Sequence, residues 1–303
     1  MGRKKRYVEY DYDSVFDQDI NDISESKIEK ALSKGKIKKV YATKIVEARD
    51  MADIEIYPEF TRKKSISPRP LTKKQKAAKR NLNDKNARKY LTRLVNTNFK
   101  NHDIYATFTC DDDHLPNSID DAHKLMTLFI KRLNYERKKR KLGKARYVYV
   151  IEYKPKAKIR WHFHMAMDGE LDLDTVEAKW SAGRRNNTRR IAENDDGLDE
   201  LASYLAKEPV REKHQKRWGS SQGLKKPKER KNHYMFKGSD VKKIIKDRNV
   251  LEDKVYKLFP NANIRKTKIY YNSYNGLFYI TVRLKKDSTY KNQSKGVKKR
   301  NEW

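Results

Sequence analysis

Two stretches near the middle of the chain have the hydrophobic density of β-strands. One spans residues 146–153. The other spans 160–169, is rich in aromatic and apolar residues, and is closed by the turn signal Asp168-Gly169. Lys154-Pro155-Lys156-Ala157-Lys158 between them is short and polar, as the connection of a hairpin should be. Alternate side chains of a strand leave the same face. Trp161, Phe163 and Met165 therefore make one face of the second strand, and His162 and His164 the other.

The same pattern reading orders the rest of the chain. Residues 24–34 predict a polar helix on a thin stripe of Ile28, Ala31 and Leu32, ended by Gly35. Residues 39–46 and 52–57 predict two strands, and Pro68 and Pro70 mark a linker. A helix is expected over 72–98, with Thr72 as its N-cap and Leu91, Leu94 and Val95 as its apolar stripe. A strand over 103–110 leads into an acidic turn, then a helix over 118–140 capped by Ser118, with Leu125, Leu128, Phe129 and Leu133 facing the core. A short helix over 173–182 and a basic loop or strand over 184–190 follow. Acids at the start and Pro209 at the end bracket a further helix over 196–209, with a buried stripe of Leu198, Leu201 and Leu205, Tyr204 at its edge and Lys207 further round. Residues 214–231 read as a flexible basic loop around Trp218, and 240–259 as helical. A hairpin joins 264–272 to 277–285 through Asn275-Gly276.

These elements predict an α+β fold: a central antiparallel sheet flanked by helices. Residues 1–75 are expected to be a basic and acidic N-terminal extension of helical character, 76–286 the main domain, and 287–303 a disordered basic tail.

The histidine face is where chemistry enters. His162 and His164 lie at i and i+2, roughly 6–7 Å apart at Cα by strand rise. A bare His-x-His is most often two polar residues on a solvated strand. The preceding strand changes the balance, because antiparallel pairing brings Glu152 beside the histidines. Two nitrogens and one oxygen, with positions left for water and phosphate, suit Mg²⁺ or Mn²⁺ in phosphodiester chemistry. A closed four-ligand zinc site fits less well.

Charge narrows the partner. The 303 residues hold 73 Lys and Arg against 41 Asp and Glu, a net charge of +32. A phosphate polymer is the simplest counterpart of such a field, and tyrosine set among basic residues suits stacking on bases. A membrane partner is not expected: no run of 18 apolar residues occurs, and the basic N-terminus lacks the apolar core of a signal peptide. Cys110 is the only cysteine, which removes intrachain disulfides and cysteine-based zinc clusters and points to a reducing cytoplasm. No Walker-type phosphate loop is present.

Three motifs, in this order, resemble the HUH endonucleases, specifically the replication initiators of small single-stranded DNA phages and rolling-circle plasmids. They are residues 107–116 (Thr-Phe-Thr-Cys-Asp-Asp-Asp-His-Leu-Pro), His162-Phe163-His164, and Tyr204-Leu205-Ala206-Lys207. Weaker echoes lie at residues 96–99 and 218–225, so the resemblance covers roughly 75–285. It implies an HUH or RRM-like sheet, with His162, His164 and Glu152 as ligands of Mg²⁺ or Mn²⁺ and Tyr204 as nucleophile. Lys207 would tune or position the tyrosine. The reaction implied is nicking and rejoining of single-stranded DNA at an origin through a 5′-phosphotyrosine. A host helicase and a single-strand-binding protein would be partners, in the cytoplasm of a bacterial host. Cys110 departs from the aromatic residue common at its position, and Glu208-Pro209 is expected to end the tyrosine helix early. The single tyrosine on that helix matches the single-tyrosine branch.

Two other readings share these features. A non-catalytic nucleic-acid-binding protein accounts for the charge and the aromatics, but not for Glu152, the histidine pair and Tyr204-Lys207 in one order. A relaxase or transposase would use the same site chemistry, with Tyr7, Tyr10 or Tyr12 as alternative nucleophiles.

Overall fold

The computed structural model describes residues 12–33, 41–59, 70–154, 159–206 and 218–287. In chain order they form α1 (Tyr12–Phe16), β1 (Asp17–Asp19), α2 (Glu25–Ser33), β2 (Tyr41–Ala48), β3 (Met51–Pro58), α3 (Lys73–Arg80) and α4 (Leu82–Asn98). Next come β4 (Ile104–Thr109), α5 (Ile119–Lys139), β5 (Tyr147–Lys154), β6 (Ile159–Met167), α6 (Leu173–Ala178), β7 (Asn187–Arg190) and α7 (Asp199–Leu205). The last are β8 (Gly219–Ser220), β9 (Lys228–Asn232), α8 (Gly238–Lys246), α9 (Asn249–Leu258), β10 (Ala262–Asn272) and β11 (Leu277–Lys286). The α+β class holds, with antiparallel sheets and helices against them, but there are two sheets rather than one.

The chain divides into two compact units: one from the described residues of Met1–Ala87 and Lys228–Trp303, the other from those of Arg88–Pro227. The first is built on a six-stranded sheet ordered β1-β10-β11-β3-β2-β9. Its C-terminal hairpin, for which the sequence names no partner strand, pairs with β3. The reason is a match of alternating apolar residues: Ile280, Val282 and Leu284 lie opposite Ile56, Ile54 and Ala52, and all six are buried. Residues 41–58 are thus the paired strands that the pattern at 39–46 and 52–57 predicts, and they lie in the interior of this sheet. Among the residues packed against that face are Val241 and Ile244 of α8 and Leu251 and Val255 of α9.

The second unit has a five-stranded sheet ordered β7-β4-β6-β5-β8. Pleating sorts its side chains cleanly. Ile104, Ala106, Phe108, Ile151, Phe163, Met165 and Met167 join Met126, Phe129 and Leu133 of α5 in one core. Trp180 fills its centre, stacked on Phe108 at 4.9 Å, with its indole N–H donating to the Thr109 carbonyl at 2.7 Å. Tyr105, Val148, Val150 and Ala166 face the other way, onto Leu91, Leu94 and Val95 of α4 and Leu198, Ala202 and Leu205 of the α7 segment. The Arg137 guanidinium at the end of α5 lies in the interior, 2.7 Å from the Asp168 carboxylate and 2.5 Å from the Gly143 carbonyl; a buried arginine needs such a full set of acceptors.

Local expectations differ from the fold where capping or packing intervenes. Thr72 does cap a helix, in a reciprocal box with Gln75, but the helix stops at Asn81 and restarts as α4. The 240–259 segment is two helices, interrupted at Asp247 and Arg248. Leu128 of α5 is exposed, and Ala122 and Met126 take the buried positions assigned to Leu125 and Leu128. Part of the basic loop after Trp218 is strand, as β8 and β9. The hairpin connection at 155–158 and the tail beyond Asp287 lie outside the described residues.

Cys110 supplies a test of the second core. Burial, with Asp111 alongside, pushes its thiol up to about 11. Only the thiolate is reactive. The native thiol is therefore expected to react roughly 100-fold or more slowly with a disulfide reagent at pH 8 than the urea-unfolded chain. A raised cysteine pKa favours the neutral form in the folded state, so this contribution to stability is lost as pH climbs past the unfolded value of about 8.5. Equal rates in native and unfolded chain would mean that the 110 position is not packed as described.

Candidate active site

Strand β6 lies between β4 and β5, so both of its edges are paired and its register is fixed on both sides. Thr109 and Glu152 flank His162, and Thr107 and Val150 flank His164. Paired residues share a face, so the histidines, Glu152, Thr107 and Tyr105 project together toward the side on which α7 packs.

His164 is the centre of the group. It is only 4% exposed. Its Nε2 lies 3.3 Å from Glu152 Oε2, and its Nδ1 lies 3.1 Å from the Tyr105 hydroxyl and 3.2 Å from the Thr107 hydroxyl. Burial lowers its pKa below the ordinary histidine value; Glu152 works against that shift and His162 adds to it. The ring is accordingly held neutral. Hydroxyls donate or accept, so Nδ1 is satisfied in either tautomer. With the proton on Nε2, His164 donates to Glu152. With the proton on Nδ1, Nε2 offers a lone pair beside a carboxylate, an arrangement that calls for a cation.

His162 is less ambiguous. Its Nδ1 is 2.7 Å from the Arg160 carbonyl, which can only accept, so Nδ1 carries a proton, and Nε2 has no hydrogen-bond partner among the described residues. The two imidazoles are nearly parallel, with centroids 6.3 Å apart. The donor types therefore fit a divalent ion: two imidazole nitrogens, each with its other nitrogen oriented by a hydrogen bond, and one carboxylate. Among the described residues, however, no three His, Cys, Asp or Glu side chains are close enough to hold one ion as they stand.

Tyr204 is brought to this group by α7. Its ring stands edge-on to His164 at 5.1 Å and edge-on to Tyr105 at 6.4 Å, and it is 49% exposed. Lys207 lies outside the described residues. A helix of seven residues is too short to hold itself. Asn96, fully buried on α4, supplies the anchor: its Oδ1 accepts from Leu198 N at 2.9 Å and its Nδ2 donates to Asp199 Oδ1 at 2.9 Å. Asn98 does the same for the segment after β8, donating to the Lys225 carbonyl and accepting from its N–H, both at 2.8 Å. Trp218 stacks near Tyr90 at 6.4 Å. The two echo segments, residues 96–99 and 218–225, are thus joined through Asn98 and Lys225.

Tyr105 and Arg189 lie in no motif, and Thr107 stands in the first motif without an assigned role. Register is the signal that finds them: they fall on the histidine face once β4 is paired with β6 and β7. The Arg189 guanidinium lies 5.3 Å from the Tyr105 ring centre, and desolvation raises the Tyr105 phenol to about 12, which keeps it a neutral hydrogen-bonding partner of His164.

Residues 103–210 match the family of replication-associated protein ORF2/G2P, a span that begins at β4 and includes Glu152, His162, His164, Tyr204 and Lys207. It covers a little over a third of the chain and supports a replication-initiator class for that region. Neither the curated proteins nor the solved structures give a match. No helix among the described residues is long and apolar enough to cross a membrane.

The Asn96 anchor is open to test. Asn96→Leu strands the Leu198 N–H in a buried setting, at a cost of about 1–3 kcal/mol. Hydrogen exchange should then speed up over residues 198–205 well before it does over β4 and β6. Uniform protection across α7 in the variant would show that the helix does not depend on Asn96.

Proposed function

We propose that this chain is a replication initiator of the HUH type: a metal-dependent endonuclease and strand transferase that opens and reseals single-stranded DNA through Tyr204. The observation that carries the reading is the convergence of Tyr204 on the His164–Glu152 pair, inside the region similar to replication-associated proteins. In this reading His162, His164 and Glu152 hold Mg²⁺ or Mn²⁺, which when bound polarises the scissile phosphate and offsets charge on its oxygens.

The chain's own residues do the rest. The Tyr204 oxygen attacks phosphorus in line, a P–O bond to the tyrosine forms, and the bond to the 3′-oxygen breaks. The released 3′-hydroxyl primes synthesis. The phosphotyrosine keeps the energy of the broken bond, so a returning 3′-hydroxyl reseals the strand without a nucleotide cofactor. Tyr204 loses its proton on attack, and the leaving oxygen gains one; Lys207, three residues on in the sequence, is the residue assigned to ease that loss, position the attack or protonate the leaving oxygen. Tyr105 and Thr107 hold His164 in orientation. The basic surface binds the DNA backbone.

One observation favours a binding-only protein: the three donors do not converge on a single point. The two readings part in a denaturing gel of a labelled pool of single-stranded DNA incubated with the full chain. A protein-linked band is expected with Mn²⁺, absent with EDTA and reduced at least about 10³-fold in Tyr204→Phe, as for loss of any covalent nucleophile. Tight, salt-sensitive binding without a band would favour the binding protein. A band that survives Tyr204→Phe would move the nucleophile elsewhere, the N-terminal tyrosines first.

The hydroxyl on His164 gives a finer test. Tyr105→Phe removes one Nδ1 partner and leaves Thr107 in place. Mn²⁺ binding, followed by electron paramagnetic resonance, should weaken by about tenfold, as is usual for loss of an outer partner of a ligating histidine. Unchanged Mn²⁺ binding would separate His164 from the metal.

A further inference from the structure

A cavity of about 660 Å³ opens beside Tyr204, bounded by β4, β7, the segment after β7 and α7. It is of the size that holds small organic ligands. Tyr105 and Tyr204 line it with aromatic surface, and Ile191 and Leu201 with aliphatic surface. Arg189 and Glu200 contribute charges of opposite sign, both on exposed side chains. Neither side chain has an ion pair or hydrogen bond among the described residues, in a unit where Arg137, Arg140 and Arg190 are all engaged.

We propose that this cavity is a binding site for one nucleotide of the DNA strand, next to the phosphodiester that Tyr204 attacks; the inference rests on the nicking reading. The lining is what a nucleobase needs: flat aromatic surface to stack on and an aliphatic floor. Arg189 offers a flanking phosphate a guanidinium with no ion pair among the described residues, held near the Tyr105 ring at 5.3 Å. Because Tyr204 is itself a wall of the cavity, the nucleotide inside it is a near neighbour of the attacked phosphate. The Glu200 carboxylate accepts hydrogen bonds, so it favours a base that presents an amino group, and thymine, which has none, is the base it disfavours. The site thus selects where along a strand Tyr204 reacts, a task separate from that of His162, His164 and Glu152.

Two measurements on the full chain test this. The first is anisotropy of a fluorescein-labelled, randomised single-stranded oligonucleotide. The second is sequencing of strands captured as covalent adducts from a random pool. Ser203→Trp fills the cavity from an exposed position on α7, and Arg189→Ala removes its cation from an exposed strand position. Each should weaken binding by about tenfold, the scale of one stacked base. Strands captured by the native chain should show a base preference, with thymine depleted, at one position beside the junction. Ser203→Trp should flatten that preference, and Glu200→Gln should restore thymine there. Thermal melting by circular dichroism identifies any variant that fails to fold; Arg189→Ala then carries the test. Native adducts with variants that bind within twofold of the native chain and keep its preference would overturn the nucleotide site and leave the nicking reading standing. No native adduct, but weaker binding in both variants, would overturn nicking and keep the cavity as a DNA site.

Discussion

Everything at the candidate site follows from the commitment of β6 on all sides. Its two edges are bonded to β4 and β5, one face is sunk in the α5 core, and the other faces α4 and α7. A slip of one residue would drive His162 and His164 into a core built for Trp161, Phe163 and Met165, and would present aromatic rings where Glu152 now stands. Burying two imidazoles among Phe108, Phe129 and Trp180 without partners would cost several kcal/mol. Register, and with it the chemistry, is therefore enforced by the hydrophobic side of the strand rather than by the histidines.

That division of labour explains why the site was legible and the architecture less so. His162, His164 and Glu152 sit where alternation and hairpin pairing place them, because strand period is a local property. Tyr204 at the edge of an apolar stripe was readable for the same reason, although Leu201 is only partly buried and Ala202 takes the deeper position. The partner of the β10–β11 hairpin was not readable. Its alternation fits any apolar sheet edge, and the choice of β3 over the histidine sheet depends on residues far away in the sequence. The breaks at Asn81 and Asp247 also escaped, since helical spacing runs through both.

The polar anchors show a second kind of illegibility. Asn96 and Asn98 read as a weak motif, and nothing in their spacing says that one reaches α7 and the other Lys225. Buried asparagines of this kind act through geometry: each ties a backbone segment to α4 beyond what its own packing supplies. The short α7 then presents Tyr204 half-exposed over His164, accessible from solvent on one side and constrained by the sheet on the other.

The six-stranded sheet has a consequence for how the chain is made. Met51 pairs with Lys285, so strands from both ends of the sequence complete one sheet, while the histidine unit is contiguous. During synthesis the residues of the histidine unit can emerge and collapse on their own. The β2–β3 hairpin must wait, its apolar edge open, until β10 and β11 leave the ribosome. A chain released before that point would carry a finished histidine sheet and an unsealed strand edge, and the second is a template for aggregation. Premature termination in this protein should therefore yield insoluble material rather than a free, folded histidine unit.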